Sequence, residues 1–178
     1  MLYKLRRIKC NKRILLSLYF SIFQSHLNFG ICVWGNADIS LLQKIFLCQK
    51  RAIRIVAGLE FQASTKTAFR ELKLLRTEDL FKYNIANVMW EHDHGSLPSC
   101  FSKLFQNISD IHHFETRSSA AQKLSENVII HTKSHGESML KFQGPKTLNE
   151  LKNHSFYNLS KTKKGFQARY KKFLLSLY

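Results

Sequence analysis

The stretch ILLSLYFSIF, Ile14 to Phe23, constrains the chain most: a run of apolar and small residues without a charge is an export signal, a membrane segment or one side of an internal helix. The preceding MLYKLRRIKCNKR is basic enough to lead a signal peptide. The residues after Phe23 argue against both membrane readings. QSHLNFG offers no small-x-small cleavage pattern, and Gln24, His26 and Asn28 interrupt the run before the roughly twenty apolar residues that a spanning helix needs. Ile14, Leu15, Leu18, Tyr19, Ile22 and Phe23 recur instead at one-and-four spacing, which predicts an amphipathic helix from about Lys12 to His26. Gly30 and Gly35 end that regularity. A helix lying on a membrane surface is the alternative left open by these residues alone.

The same periodicity recurs along the chain. Leu42, Ile45, Phe46, Ile53 and Val56 predict a second amphipathic helix finishing near Gly58, with Lys44, Lys50, Arg51 and Arg54 on its other side. Ser64 or Thr65 is placed to open a short helix with Phe69, Leu72 and Leu75 inward. Thr77 is placed to cap another, with Glu78 and Asp79 in its first turn and Leu80, Phe81, Ile85, Val88 and Met89 as its buried stripe. That helix stops by Gly95, before Pro98, and SCFSKLF allows a further turn or two. From Gln106 to Ser138 periodicity fades into a long connection, with a short extended piece at NVIIH. A closing helix puts Phe166, Tyr170, Phe173, Leu174 and Leu177 on one face, which Lys163, Lys164, Arg169, Lys171 and Lys172 largely avoid. The expected fold is mainly α: a small helical bundle with a long irregular connection and a C-terminal amphipathic helix.

Charge narrows the partners. The 28 Lys and Arg against 12 Asp and Glu leave +16, more than solubility requires, which points to a polyanion. Residues 1–37 and 151–178 hold six and seven of these cations and no acid, so both ends are basic arms on a more balanced middle. Within the second helix, Lys50, Arg51 and Arg54 lie within about a turn and are spaced to grip successive phosphates. The competing explanation for any one of them is a solvated helix surface. Cys10, Cys32, Cys48 and Cys100 lack paired spacing, which argues against a disulfide framework, and three of them sit in apolar sequence where a thiol packs as a small hydrophobe.

Signals for catalysis are missing. There is no Asp pair or spaced triad of acids for a two-metal site, no phosphate-binding glycine loop, no dinucleotide fingerprint and no nucleophile elbow. His92, His94, Cys100, His112 and His113 are of the residue types that bind zinc, but without paired spacing solvated loop histidines explain them better.

Five segments, in order, carry a resemblance: LYFSIFQSHLNFGICVWGNA, LLQKIFLCQKRAIRIVAG, LFKYNIANVMWEHDHGSLPSCF, HHFETRSS and FQGPKTLNELKN. Together they resemble the C-terminal region of LINE-type, jockey-like non-LTR retrotransposon reverse transcriptases. HLNFGICVWG, QKRAIRI and the residues His113, Phe114, Thr116 and Arg117 are the most specific parts. In that family the region follows the polymerase palm, whose metal-binding carboxylates are not present in this chain. The upstream endonuclease, fingers and C-terminal zinc knuckle of relatives are not present either. The family's usual Trp after GPK is Leu148 here, and its Leu-Pro is Leu151-Lys152.

The resemblance implies a truncated element copy in which NFGICVWG is an internal corner with Trp34 buried. It implies a helical domain over 1–105 resembling the post-palm, thumb-side region, an irregular connection over 106–140 and a basic helical segment over 141–178. The expected function is a fragment of an RNA-directed DNA polymerase, not an enzyme by itself and without cofactor or metal. It would bind RNA or DNA backbone in the nucleus or cytoplasm, away from membranes, and its other partners would be the missing palm and fingers. The expected contacts are Lys12, Arg13, Lys50, Arg51, Arg54, Arg117, Lys163, Lys164 and Arg169. A helical protein-interaction module and a decayed copy without function are the alternatives.

Overall fold

The computed structural model of this chain describes residues 4, 10–101, 104–111, 114, 116, 117, 123–125 and 140–178. Among them the protein is mainly helical. In chain order the helices are α1 (Lys12–Leu18), a π-helical turn (Tyr19–Gln24), α2 (Ser25–Asn28), α3 (Ile31–Trp34), α4 (Ile39–Ala57), α5 (Lys66–Glu71) and α6 (Thr77–Asp93). Then come a 3₁₀ turn (Ser99–Phe101), α7 (Ile108–Ile111), α8 (Leu140–Lys152), α9 (Ser155–Asn158) and α10 (Lys163–Ser176). Extended pairing among the described residues is an isolated antiparallel bridge between Asn107 and Leu124. The NVIIH segment, His112 and His113 lie outside the described residues, as does most of the expected connection. No described helix is long and apolar enough to cross a membrane.

Two compact units emerge, one made of residues 1–81 with 171–178 and the other of residues 82–170. This division runs through α6 and α10, whereas the sequence suggests breaks near 105 and 140.

In the first unit α1 buries Leu15, and the π turn that continues it buries Tyr19 and Gln24. The extra residue of a π turn rotates the buried stripe, which therefore passes through 15, 19, 24 and 27 rather than along an ideal α-helical face. Ile22, expected on the inner face, is exposed for that reason, and Ile14, which precedes the turn, is exposed because the packed stripe of α1 is narrow. Gly30 makes the corner with a left-handed backbone, φ +60°. Trp34 is half-buried rather than buried, and its indole N–H donates to the Phe29 carbonyl at 2.7 Å, tying the corner to itself. α4 starts on Asp38, whose carboxylate accepts from the Ser40 N–H at 2.9 Å. It packs Ala52, Ile53 and Val56 against Leu15, Tyr19, Phe69 and Tyr178.

Three helices end by the same backbone device. After α4 the Leu59 N–H reaches the Arg54 carbonyl at 2.9 Å and the Gly58 N–H reaches Ile55 at 3.3 Å, with Gly58 left-handed, a Schellman motif. Ser96 and Gly95 close α6 on Glu91 and His92 in the same way. Leu74 and Lys73 do so for α5, on Phe69 and Arg70, but here the left-handed residue is Lys73, φ +52°. An L side chain is strained in that conformation. Lys73 also faces Lys171, whose pKa is pushed down by burial and then by the Lys73 charge. Lys73→Gly is therefore expected to stabilise the protein by about 1 kcal/mol, read as a higher urea midpoint with an unchanged slope.

Thr77 does not cap α6 as its position suggests. It is the first residue of that helix, and its backbone N–H and hydroxyl both donate to Gln49 Oε1, each at 3.1 Å. The Gln49 amide in turn donates to the Leu75 carbonyl at 2.8 Å and to the Tyr19 hydroxyl at 3.1 Å. Gln49 is completely buried. Its oxygen and nitrogen thus join α4, the segment before α6 and the π turn, with every donor matched to an acceptor. Burial raises the Tyr19 pKa to about 12, the Gln49 bond pulling slightly the other way.

The second unit packs aromatic rings. Trp90 lies over His94 with centroids 3.7 Å apart, and Phe166 stacks with Trp90 at 6.2 Å and Tyr170 at 5.7 Å. Phe166 and Tyr170 of the closing helix are buried as its periodicity predicts; in the stretch of that helix that belongs to the first unit Leu174 is buried as well, while Leu177 beyond it is exposed. Asn149 of α8 holds Leu124 by both of its backbone groups, donating to the carbonyl at 3.0 Å and accepting from the N–H at 3.1 Å. All four cysteines are free thiols. Cys48 and Cys100 are exposed, so packing accounts only for Cys10 and Cys32.

Candidate nucleic-acid interface

The cations expected on α4 separate. Lys50 and Arg54 are four apart and share a face, and both line a cleft of about 230 Å³. Arg51 lies one residue round the helix from Lys50, is exposed, and does not line it. The cleft receives two further cations that were not expected from the sequence, Lys66 at the start of α5 and Arg76 just before α6. Ser64 and Thr65 supply hydroxyls and Phe46 and Phe69 an aromatic wall; among the described residues no carboxylate lines it.

The arginines and Lys50 are positioned by the protein rather than by acids. Arg54 Nε donates to the Ala63 carbonyl at 2.8 Å, which fixes one edge of its guanidinium. Lys50 Nζ sits 4.4 Å from the centroid of Phe46. The Arg76 guanidinium lies 4.4 Å over the Tyr178 ring, and the Arg76 backbone N–H donates to the Tyr178 hydroxyl at 2.9 Å. Arg76 Nε is buried and has no acceptor among the described residues. Thr65 precedes α5 but makes no side-chain capping bond.

The other expected contacts occupy varied settings. Lys12 and Arg13 are exposed in the first turn of α1, where the helix dipole disfavours cations, so helix stability does not explain them. Lys164 is exposed in the first turn of α10, and beside it Lys163 forms an ion pair with Glu91. Arg117 is exposed. Arg169 has a long contact to the Ser160 hydroxyl, 3.4 Å.

Two acids of the second unit, Asp93 and Glu91, are already engaged. Asp93 pairs with Lys152 at 2.8 Å and accepts from the Tyr157 hydroxyl at 2.8 Å. Burial pushes the Asp93 carboxyl up, but these hydrogen bonds and the Lys152 charge outweigh it and hold its pKa below the ordinary value. Burial, aided by Lys152 and opposed by Asp93, lowers the pKa of His92. His92 lies edge-on to Phe105 and His94 stacks on Trp90, so both rings have packing roles. Among the described residues no group of three His, Cys, Asp or Glu side chains is arranged to hold a metal ion.

The signal for Lys50 and Arg54 is local, an i,i+4 pair that continues the line of Phe46 along the edge of the apolar stripe. Lys66 and Arg76 carry no comparable signal, because each sits at a helix start and joins the cleft only through tertiary packing. No protein-family model, curated protein or solved structure matches the chain.

Proposed function

We propose that this protein binds RNA or DNA through the phosphate backbone, with little base selectivity and without catalysis of its own. It would be the post-palm part of a non-LTR retrotransposon reverse transcriptase, as the resemblance of its helical segments implies, and would work in the nucleus or cytoplasm. The observation that carries the reading is the convergence of Lys50, Arg54, Lys66 and Arg76 without a carboxylate among the described lining residues, on a chain of net charge +16. Like charges held this close repel one another, and a polyanion relieves that repulsion while it releases its own condensed counterions. Lys12, Arg13, Arg51, Arg117, Lys164 and Arg169 then extend the attraction beyond the cleft, with Lys163 available on opening its pair with Glu91.

Four to six phosphate contacts to a single strand predict an affinity falling roughly 50- to 300-fold between about 50 and 200 mM salt. Fluorescence anisotropy with a labelled oligonucleotide measures this directly. An affinity that ignores salt would refute the reading.

A second reading rests on apolar exposure. Phe29 is 85 % exposed, Val33 88 % and Ile39 72 %, a cluster around the corner that water does not favour. This supports docking of a polypeptide there, in the resemblance the palm and fingers that precede this region. Under a pure protein-interaction reading nucleic acid would fail to compete with that partner.

A further inference from the structure

We infer that the cleft between α4 and α5 recognises a terminal phosphate monoester, the phosphorylated end of a nucleic-acid strand, in preference to the phosphodiesters within it. The inference rests on the backbone-binding reading above and deepens it.

Spread cations such as Arg51, Lys164 and Arg169 suit the internal part of a bound backbone, because successive diester phosphates carry one charge each and are covalently flanked on both sides, while the cleft can take one phosphate of the same strand. The cations of the cleft are gathered instead. Lys50, Arg54, Lys66 and Arg76 converge on about 230 Å³, below the size of an ordinary small-molecule pocket and enough for one phosphate with part of its sugar. A chain passing through must enter and leave such a recess, whereas a chain end need only enter. A phosphate monoester also presents three non-bridging oxygens and close to two negative charges at neutral pH, against two oxygens and one charge for a diester.

The donors match that group. Arg54 and Arg76 are planar forks suited to phosphate oxygens, and each is oriented by the protein, Arg54 through Ala63 and Arg76 by Tyr178. Lys50 and Lys66 add charge, and the Ser64 and Thr65 hydroxyls line the same space. Donors already held in place lose little freedom on binding. Phe46, half-buried and backed by the core ring of Phe69 with centroids 6.0 Å apart, offers an apolar edge to the sugar or first base behind the phosphate.

The test compares short single strands of one sequence bearing a phosphate or a hydroxyl at the 5′ or the 3′ end, by competition anisotropy with the full chain. A phosphorylated end is expected to bind about tenfold tighter or more than the matching hydroxyl end. The double variant Lys50→Gln with Lys66→Gln, which leaves the Arg54 and Arg76 anchors intact, is expected to abolish that ratio. Lys146→Gln, an exposed cation outside the cleft, is expected to preserve it.

Equal binding of phosphate and hydroxyl ends by the unaltered protein, with affinity still falling with salt, would overturn the inference and leave backbone binding standing. Loss of all salt-dependent binding would overturn both. A nucleoside monophosphate or inorganic phosphate that binds as tightly as the phosphorylated strand would overturn the strand end as ligand.

Discussion

Gln49→Leu is expected to lower stability by about 3 to 5 kcal/mol, a large loss for one side chain. The apolar replacement is of similar size, one heavy atom smaller, but removes both a donor and an acceptor from a fully buried site. It strands the Thr77 N–H and hydroxyl, the Leu75 carbonyl and the Tyr19 hydroxyl, which have Gln49 as partner at 2.8 to 3.1 Å. Each buried group left without a partner costs about 1 to 3 kcal/mol, with some relief where a hydroxyl can turn. Chemical denaturation monitored by circular dichroism gives the value. Gln49→Glu separates packing from hydrogen bonding, because a carboxylate keeps the acceptor for Thr77 while it loses the donor to Leu75 and Tyr19. A loss under about 1 kcal/mol for Gln49→Leu would mean that the junction of α4 with the start of α6 contributes little.

Gly35→Ala is expected to cost about 2 to 3 kcal/mol through overpacking. A Cβ at this position would lie 2.4 Å from Phe81 Cδ2 and 2.5 Å from the Ile31 carbonyl oxygen. The ring could rotate away from a flexible neighbour, but the carbonyl is backbone and accepts the Gly35 N–H at 2.7 Å, so the turn itself must shift. The two glycines of NFGICVWG thus serve different ends: Gly30 permits a left-handed bend and Gly35 permits close approach. Gly30→Ala and Gly35→Ala should be distinguishable in a double-mutant cycle, since Phe81→Leu recovers part of the cost of the second only, the part due to the ring, and leaves the contact with the Ile31 carbonyl.

The apolar stripes of α4, α6 and α10 can be read in the sequence, because a 3.6-residue period is a local property and needs no knowledge of the partner surface. Gly58 and Gly95 can be read as helix ends for the same reason. Lys73 cannot: its left-handed backbone is imposed by the way Leu74 packs into the core, and nothing in ELKLL marks a lysine for that role. The π turn is equally silent, since an inserted residue leaves composition and hydrophobicity unchanged while it rotates the face. Gln49 falls on the α4 stripe, four residues from Ile45 and Ile53, so its inward placement follows from the period, whereas its partners Tyr19, Leu75 and Thr77 do not. In the cleft, Lys50 and Arg54 announce themselves through spacing, whereas Lys66 and Arg76 reach it from segments 12 and 22 residues beyond Arg54. Charge alone identifies a basic chain; tertiary structure decides which cations share one ligand.

Tyr178 has a bearing on how the protein is made. Its ring is part of the core with Phe69, and its carbonyl accepts from Arg70, so residues 171–178 complete a unit whose remainder is the first 81 residues. During translation that remainder must wait for residues 82–170 to be synthesised, on the order of ten seconds at ordinary ribosome speeds. Throughout that interval Phe69 and its neighbours lack their last covering ring. A nascent chain of this design is exposed to chaperones and proteases for longer than one whose first domain closes on itself, and emergence of residues 171–178, rather than of α4, is the event that lets its first unit close.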